Sequence, residues 1–153
     1  MTINLTDAYI ERCDKETEDT IAQEQSSFLA TPITYFKQHL NEFLYIESPT
    51  FEAVKIDAIS LEVDDVFRTY MVLLGLKVQK KHTSTIKTFL EEHLHTTETK
   101  NYSAMFSGED GLWELNIPID FIEGFSESMT VHEALTLALQ FIQKLIQTTE
   151  QNN

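Results

Sequence analysis

Thr130-Val131-His132-Glu133-Ala134-Leu135-Thr136-Leu137-Ala138-Leu139-Gln140-Phe141-Ile142-Gln143-Lys144-Leu145-Ile146-Gln147 is the most strongly patterned stretch of the chain. Thr130 and Glu133 stand at the spacing of a capping box, with Met129 before them, so a helix begins here. At about 100° per residue, the apolar positions Val131, Ala134, Leu135, Leu137, Ala138, Leu139, Phe141, Ile142, Leu145 and Ile146 cover roughly 200° of the circumference. His132, Glu133, Thr136, Gln140, Gln143, Lys144 and Gln147 fill the rest. That arc is about twice the core-facing stripe of a surface helix. One sheet face does not cover it, so a second helix of the chain, an identical subunit or a client peptide must. The polar tail Thr148–Asn153 is expected to be disordered.

Immediately upstream lies a hairpin. Tyr102, Ala104 and Phe106 alternate, Gly108-Glu109-Asp110-Gly111 turns, and Trp113, Leu115, Ile117 and Ile119 alternate back. Pro118 has no amide to donate, so the strand ends there or lies at an edge. Before the polar loop Thr96–Asn101, Thr83 or Ser84 caps a helix that turns Ile86, Phe89, Leu90 and Leu94 inward. Residues 51–79 follow a period of two. Val54, Ile56 and Ala58 share one parity and Ile59, Leu61 and Val63 the other, which signals a bulge or break near Asp57–Ile59. Asp64-Asp65 makes a turn. The strand from Phe67 to Gln79 is apolar on both faces and so central, with Gly75 marking a bulge or a close backbone approach. Thr31 and Pro32 open a helix over 32–46 with Ile33, Phe36, Leu40, Phe43 and Leu44 on one stripe. Residues 7–25 read as a peripheral acidic helix with the thin stripe Ile10, Cys13, Thr17 and Ile21. The expected fold is a single α+β domain over residues 1–153. Its antiparallel sheet has four or five strands packed with helices, in the order α-α-β-β(-β)-α-β-β-α.

The chain has 153 residues, 42% apolar and 24% charged, enough for one core without disulfides or metal. No apolar run approaches the length of a bilayer span, and Met1 to Asp7 lacks the basic and apolar regions of a secretory signal. The single cysteine, Cys13, excludes an internal disulfide and fits a reducing cytoplasm. Twenty-five acids against eleven Lys and Arg leave a net charge of −14. Residues 101–153 carry eight acids and one base, and no Lys or Arg falls between Lys100 and Lys144. Such a field repels phosphate backbones and anionic lipid, and it draws in a basic protein. Nucleic-acid and membrane partners are therefore not expected.

Catalytic chemistry finds no constellation. His93 and His95 point about 200° apart on a helix and cannot share one ion. His132-Glu133 lacks the second histidine of a zinc-protease motif because position 136 is Thr. Cys13 sits beside Asp14, which raises a thiol pKa, and no strand–G-x-S-x-G–helix elbow occurs. The turn Gly108–Gly111 carries two carboxylates where a phosphate cradle needs none. No enzyme activity, metal or cofactor is expected.

Read as a helix, a strand block, a helix, a hairpin and a helix, residues 27–147 resemble the small class I chaperones of bacterial type III secretion and the related YbjN-like fold. The resemblance is one of architecture, acidity and size. It implies an α-β-β-β-α-β-β-α domain, commonly dimeric, that binds an extended segment of a client. The functional expectation is an acidic cytoplasmic protein-binding module, chaperone-like and homodimeric, that holds a protein or peptide through apolar surface rimmed by carboxylates. Its expected partner-binding residues are Trp113, Glu114, Leu137, Phe141 and Leu145 with Glu109, Asp110, Asp120, Glu123 and Glu127. An acidic immunity or inhibitor protein that blocks a basic enzyme is the first alternative, and it requires the last five of these acids and Glu114 on one exposed face. A structural or regulatory domain is the second.

Overall fold

The computed structural model of the protein describes residues 4–94 and 102–151. Seven strands form one antiparallel sheet: β1 (Tyr9–Asp14), β2 (Thr20–Glu24), β3 (Glu42–Glu47), β4 (Ile56–Val63), β5 (Tyr70–Leu76), β6 (Ser103–Ser107) and β7 (Leu112–Pro118). They are arranged in the order β2-β1-β3-β4-β5-β7-β6. The helices are α1 (Tyr35–Gln38), α2 (Thr83–His93) and α3 (Val131–Gln151), with 3-10 turns at Ser26–Ala30, Pro49–Val54, Lys80–His82 and Ile119–Phe121. The class is mixed α+β as expected, but the sheet is larger than four or five strands and the chain opens with a hairpin.

One face of the sheet makes the core. Ile10, Leu44, Ile46, Ile59, Leu61, Val72, Leu76, Leu115 and Ile117 all point to it and are buried. Helix α3 lies in this layer and begins with the expected capping box. The Thr130 amide donates to Glu133 Oε1 at 3.0 Å and the Glu133 amide to Thr130 Oγ1 at 3.1 Å. Two further bonds tie its first turn to the chain before α1. The Val131 amide donates to Thr31 O at 2.8 Å, and the Ile33 amide to Met129 O at 2.9 Å.

The wide apolar arc of α3 is closed from within. The 3-10 turns at 26–30, 49–54 and 119–121 flank the helix, and α2 covers another side, where the rings of Phe89 and Phe141 meet edge to face at 5.1 Å. Leu135, Leu139, Ile142 and Leu145 are each no more than 1% exposed. Of the covers the sequence left open, the structure shows one within the chain: α2 and several short 3-10 turns supply what a second long helix over 32–46 would have. The helix also runs on to Gln151, through most of the expected tail, and the buried Thr149 donates its hydroxyl to Ile146 O at 2.7 Å.

Two expected helices are strands. Residues 7–25 form the β1–β2 hairpin, whose turn is built on Asp14. Its carboxylate accepts from the amides of Glu16 (2.9 Å) and Thr17 (3.0 Å), and Glu18 takes the left-handed conformation at φ 64°. Those amide bonds hold the Asp14 carboxyl below its ordinary value. Helix-favouring Glu and Gln here yield to pairing, because Ile10 opposite Ile46 buries apolar surface that an isolated acidic helix cannot. The expected helix 32–46 shrinks to the four residues of α1. The chain leaves it at His39 and continues as β3, whose alternation places Leu44 and Ile46 in the core. An ion-paired cluster joins the two pieces. Arg12 bonds Glu24 at 2.6 Å, Tyr35 Oη at 3.1 Å and the buried Glu42 at 3.1 Å.

The other elements stand near their expected positions. α2 turns Ile86, Phe89 and Leu90 inward, β7 stops at Pro118, and Asp64 Oδ1 accepts the amides of Val66 and Phe67 to make the β4–β5 turn. His95, the loop Thr96–Asn101, Met1 to Ile3 and the last two tail residues lie outside the described residues. If α3 is seated as described, Leu139→Ala destabilises the protein by about 3 kcal/mol and Leu137→Ala, half-exposed, by about 1 kcal/mol. Urea midpoints at unchanged slope measure both.

Candidate functional site

Among the described residues no helix packs on the second face of the sheet. Strand pairing orders its side chains into rows. One row runs Gln23, Glu11, Tyr45, Ser60, Leu73, Asn116 and Ser103, crossing all seven strands. A neighbouring row carries Tyr9 opposite Glu47 and, further on, Gly75, Glu114 and Met105. Tyr9 is 40% exposed and Met105 66%.

The centre of this face is hollowed. A depression of about 680 Å³ is lined by Tyr45, Asp57, Ala58, Ser60, Leu73, Leu74, Gly75, Asp110, Leu112, Glu114 and Asn116. A second, of about 310 Å³, shares Leu73 and Asn116 with it and adds Lys15, Glu62, Asp64, Asp65, Val66 and Met71. Together they make one trough over β4, β5 and β7. Its depth comes from small residues, Ala58, Ser60 and Gly75, set between larger ones. The expected bulge is part of the same device: the β4–β5 register shifts between Ile56 and Ile59. Asp57 repairs it, its Oδ1 accepting from the Ala58 amide at 2.6 Å and from the Gly75 amide at 2.8 Å. A Cβ on residue 75 would lie 2.6 Å from Asp57 Oδ2, so glycine answers the close approach expected there.

The rim is anionic. Asp57, Asp110 and Glu114 line the larger depression and Glu62, Asp64 and Asp65 the smaller. Lys15 is the one basic residue in either lining, and it is already engaged by Glu62 (3.4 Å), Asp65 (3.1 Å) and Val63 O (2.7 Å). The trough therefore presents apolar floor and uncompensated carboxylates, a combination suited to an amphipathic cation.

The expected partner residues divide between the two sides of the sheet. Glu114 and Asp110 line the trough, with Glu109 beside Asp110 in the β6–β7 turn. Glu123 and the half-buried Leu137 border a separate groove of about 490 Å³ along α3, with Phe141 and Lys144. Asp120 Oδ1 accepts the Tyr70 amide at 2.6 Å, and Glu127 takes the Tyr70 hydroxyl at 2.9 Å and Lys37 at 3.0 Å. The six acids that the inhibitor reading requires on one face are thus not on one face. Trp113 and Leu145 are core residues, 2% and 0% exposed, and Phe141 is 6% exposed where it borders the α3 groove. Of the expected residues, Asp110 and Glu114 thus stand at the back of the sheet, and Leu137, Phe141 and Glu123 stand at the α3 groove. What the expectation missed are Tyr9, Glu11, Tyr45, Glu47, Asp57, Ser60 and Leu73, of which Tyr9, Glu11 and Tyr45 fell inside segments read as helix.

His39, His93 and the cysteine sit in structural roles. His39 stacks on Tyr35 and His93 on Phe89, each at 4.0 Å, and each Nδ1 lies 2.9 Å from the carbonyl four residues back. Cys13 is buried, and burial with the nearby Glu11 carboxylate raises its thiol pKa. Among the described residues no three His, Cys, Asp or Glu side chains converge to hold a metal ion, and no helix is long and apolar enough to cross a membrane. Comparison with known protein families, with curated proteins and with solved structures gives no match.

Two outcomes test this geometry. Asp57→Ala leaves the Ala58 and Gly75 amides without their acceptor and costs about 1–2 kcal/mol in urea unfolding. Burial is the main influence that holds the Asp120 carboxyl above its ordinary value. The folded chain therefore keeps that proton longer than the unfolded one, and stability falls as pH rises from the ordinary to the raised value. Asp120→Asn is neutral throughout and keeps an acceptor for the Tyr70 amide. Its urea midpoint matches the parent's below the ordinary carboxylate value and exceeds it progressively above, measured from about pH 3 to about pH 7.

Proposed function

We propose that the protein is an acidic, chaperone-like binding module of the cytoplasm that holds a basic segment of another protein on the open face of its sheet. The observation that carries this reading is the trough over β4, β5 and β7, with an apolar floor at Leu73 and Leu112 and a carboxylate rim whose one lining base is already paired. Net charge agrees in sign. At −14 the chain speeds encounter with a basic partner and repels nucleic acid. The element order from α1 onward, α1-β3-β4-β5-α2-β6-β7-α3, is the order that the resemblance to type III secretion chaperones implies, and it supports the same reading. Most of the α3 arc is covered within the chain, which weakens the argument for a second subunit, so the proposal concerns a single chain.

The test compares proteins retained from a native cytoplasmic extract by the parent chain, by Leu73→Lys in the trough and by Gln143→Lys on α3. The expected result is a set of basic proteins lost with Leu73→Lys, kept with Gln143→Lys, and released between about 0.05 M and about 0.5 M salt. Retention indifferent to Leu73→Lys, or carried by acidic proteins, overturns the assignment.

A further inference from the structure

The sequence Tyr-Ile-Glu occurs twice, at 9–11 and at 45–47, and the β1–β3 register lays the two copies against each other. Ile10 pairs with Ile46 in the core. On the open face Tyr9 stands opposite Glu47 and Tyr45 opposite Glu11, a square of two rings and two carboxylates related by a local two-fold axis. Each hydroxyl also donates to the glutamate two residues along its own strand, Tyr9 to Glu11 and Tyr45 to Glu47. A phenol reaching residue i+2 must lean along the strand, because that residue is about 7 Å away. Each side chain is thereby held along its own strand on the open face.

We propose that Tyr9, Glu11, Tyr45 and Glu47 form a receptor for one arginine side chain of the protein docked on the open face. The inference deepens the docking role proposed above and rests on it. Charge complementarity names the occupant. None of the ion pairs among the described residues engages Glu11, Glu47 or Asp57, and Tyr45 and Asp57 both line the larger depression. The negative field also registers on Tyr45, whose hydroxyl is pushed up to about 12 by its bond to Glu47, by burial and by the charges of Glu47, Asp57 and Glu11. A guanidinium uses all four groups, since its plane stacks on a ring while its edge donates to a carboxylate. An ammonium is a point charge with no plane to stack. A divalent cation needs converging oxygens, and no group of three metal-ligating side chains is found among the described residues.

The probes are a hexa-arginine peptide, a hexa-lysine peptide and calcium chloride, each titrated into the full isotope-labelled chain while amide resonances are followed. Hexa-arginine is expected to shift the amides of residues 9–11 and 45–47 and to bind several-fold more tightly than hexa-lysine. Tyr9→Leu with Tyr45→Leu weakens hexa-arginine about tenfold at unchanged net charge, and Glu11→Gln with Glu47→Gln weakens it further. Equal affinity of the tyrosine variant and the parent overturns the receptor, as do matching affinities for the two peptides or the same shifts produced by calcium. Shifts confined to Leu73, Glu114 and Asn116 overturn the receptor while leaving the docking role intact. Failure of both peptides to perturb any residue of the open face counts against both.

Discussion

Helix α3 can be buried on only one side of the sheet, and the rest of the molecule is arranged around that fact. Its apolar arc occupies more than half of its circumference, so the chain surrounds it with sheet below, α2 on one flank and short 3-10 turns on the others. The interior residues of β3, β4, β5 and β7 meet it directly or through those turns, and the capping box with the two main-chain bonds to residues 31–33 sets where the helix begins. With all covering elements spent on one face, none remains for the other. The exposed back of the sheet is a consequence of how much surface α3 demands.

The shape of that back follows from one irregularity. A flat antiparallel sheet would offer no depression, but β4 carries an extra residue where Asp57 turns over Gly75. The carboxylate replaces ladder bonds that the bulge removes, and the small residues beside it leave the floor low. One side chain therefore repairs the backbone and contributes to the rim. The register shift of β4 lies beside the larger depression, in keeping with the recurrence of bulges near functional surfaces.

Charge separates in the same way. On the helix side, acids are tied into structure: Glu42 with Arg12, Glu127 with Lys37 and Tyr70, Asp120 with the Tyr70 amide. The Lys37–Glu127 pair is partly exposed and adds little stability, and all of these bonds neutralise or occupy the groups concerned. On the open side Glu11, Glu47, Asp57 and Glu114 have no basic partner among the described residues. Carboxylates without a basic partner therefore stand on the face that no helix covers.

Elements governed by neighbouring residues were legible in the sequence. The cap and periodicity of α3, the inward stripe of α2, the turn at Gly108–Gly111, the stop at Pro118 and the phase change at Asp57–Ile59 each depend on contacts within a few positions, and each stands in the structure where the sequence placed it. Residues 9–24 and 42–47 were not legible. Glu, Gln and Ala favour a helix locally, and Leu40, Phe43 and Leu44 happen to fall at helical spacing. What makes these segments strands is the partner each finds, Ile10 against Ile46 some 36 positions away. The same pairing assembles the tyrosine–glutamate square, since two Tyr-Ile-Glu triplets mean nothing until a register sets them face to face. Local sequence determined the helix, the hairpin and the bulge, because caps, turns and periodicity act over a few residues. Only the tertiary structure decided which face stayed open and what stands on it, because strand register is settled by burial shared between distant parts of the chain.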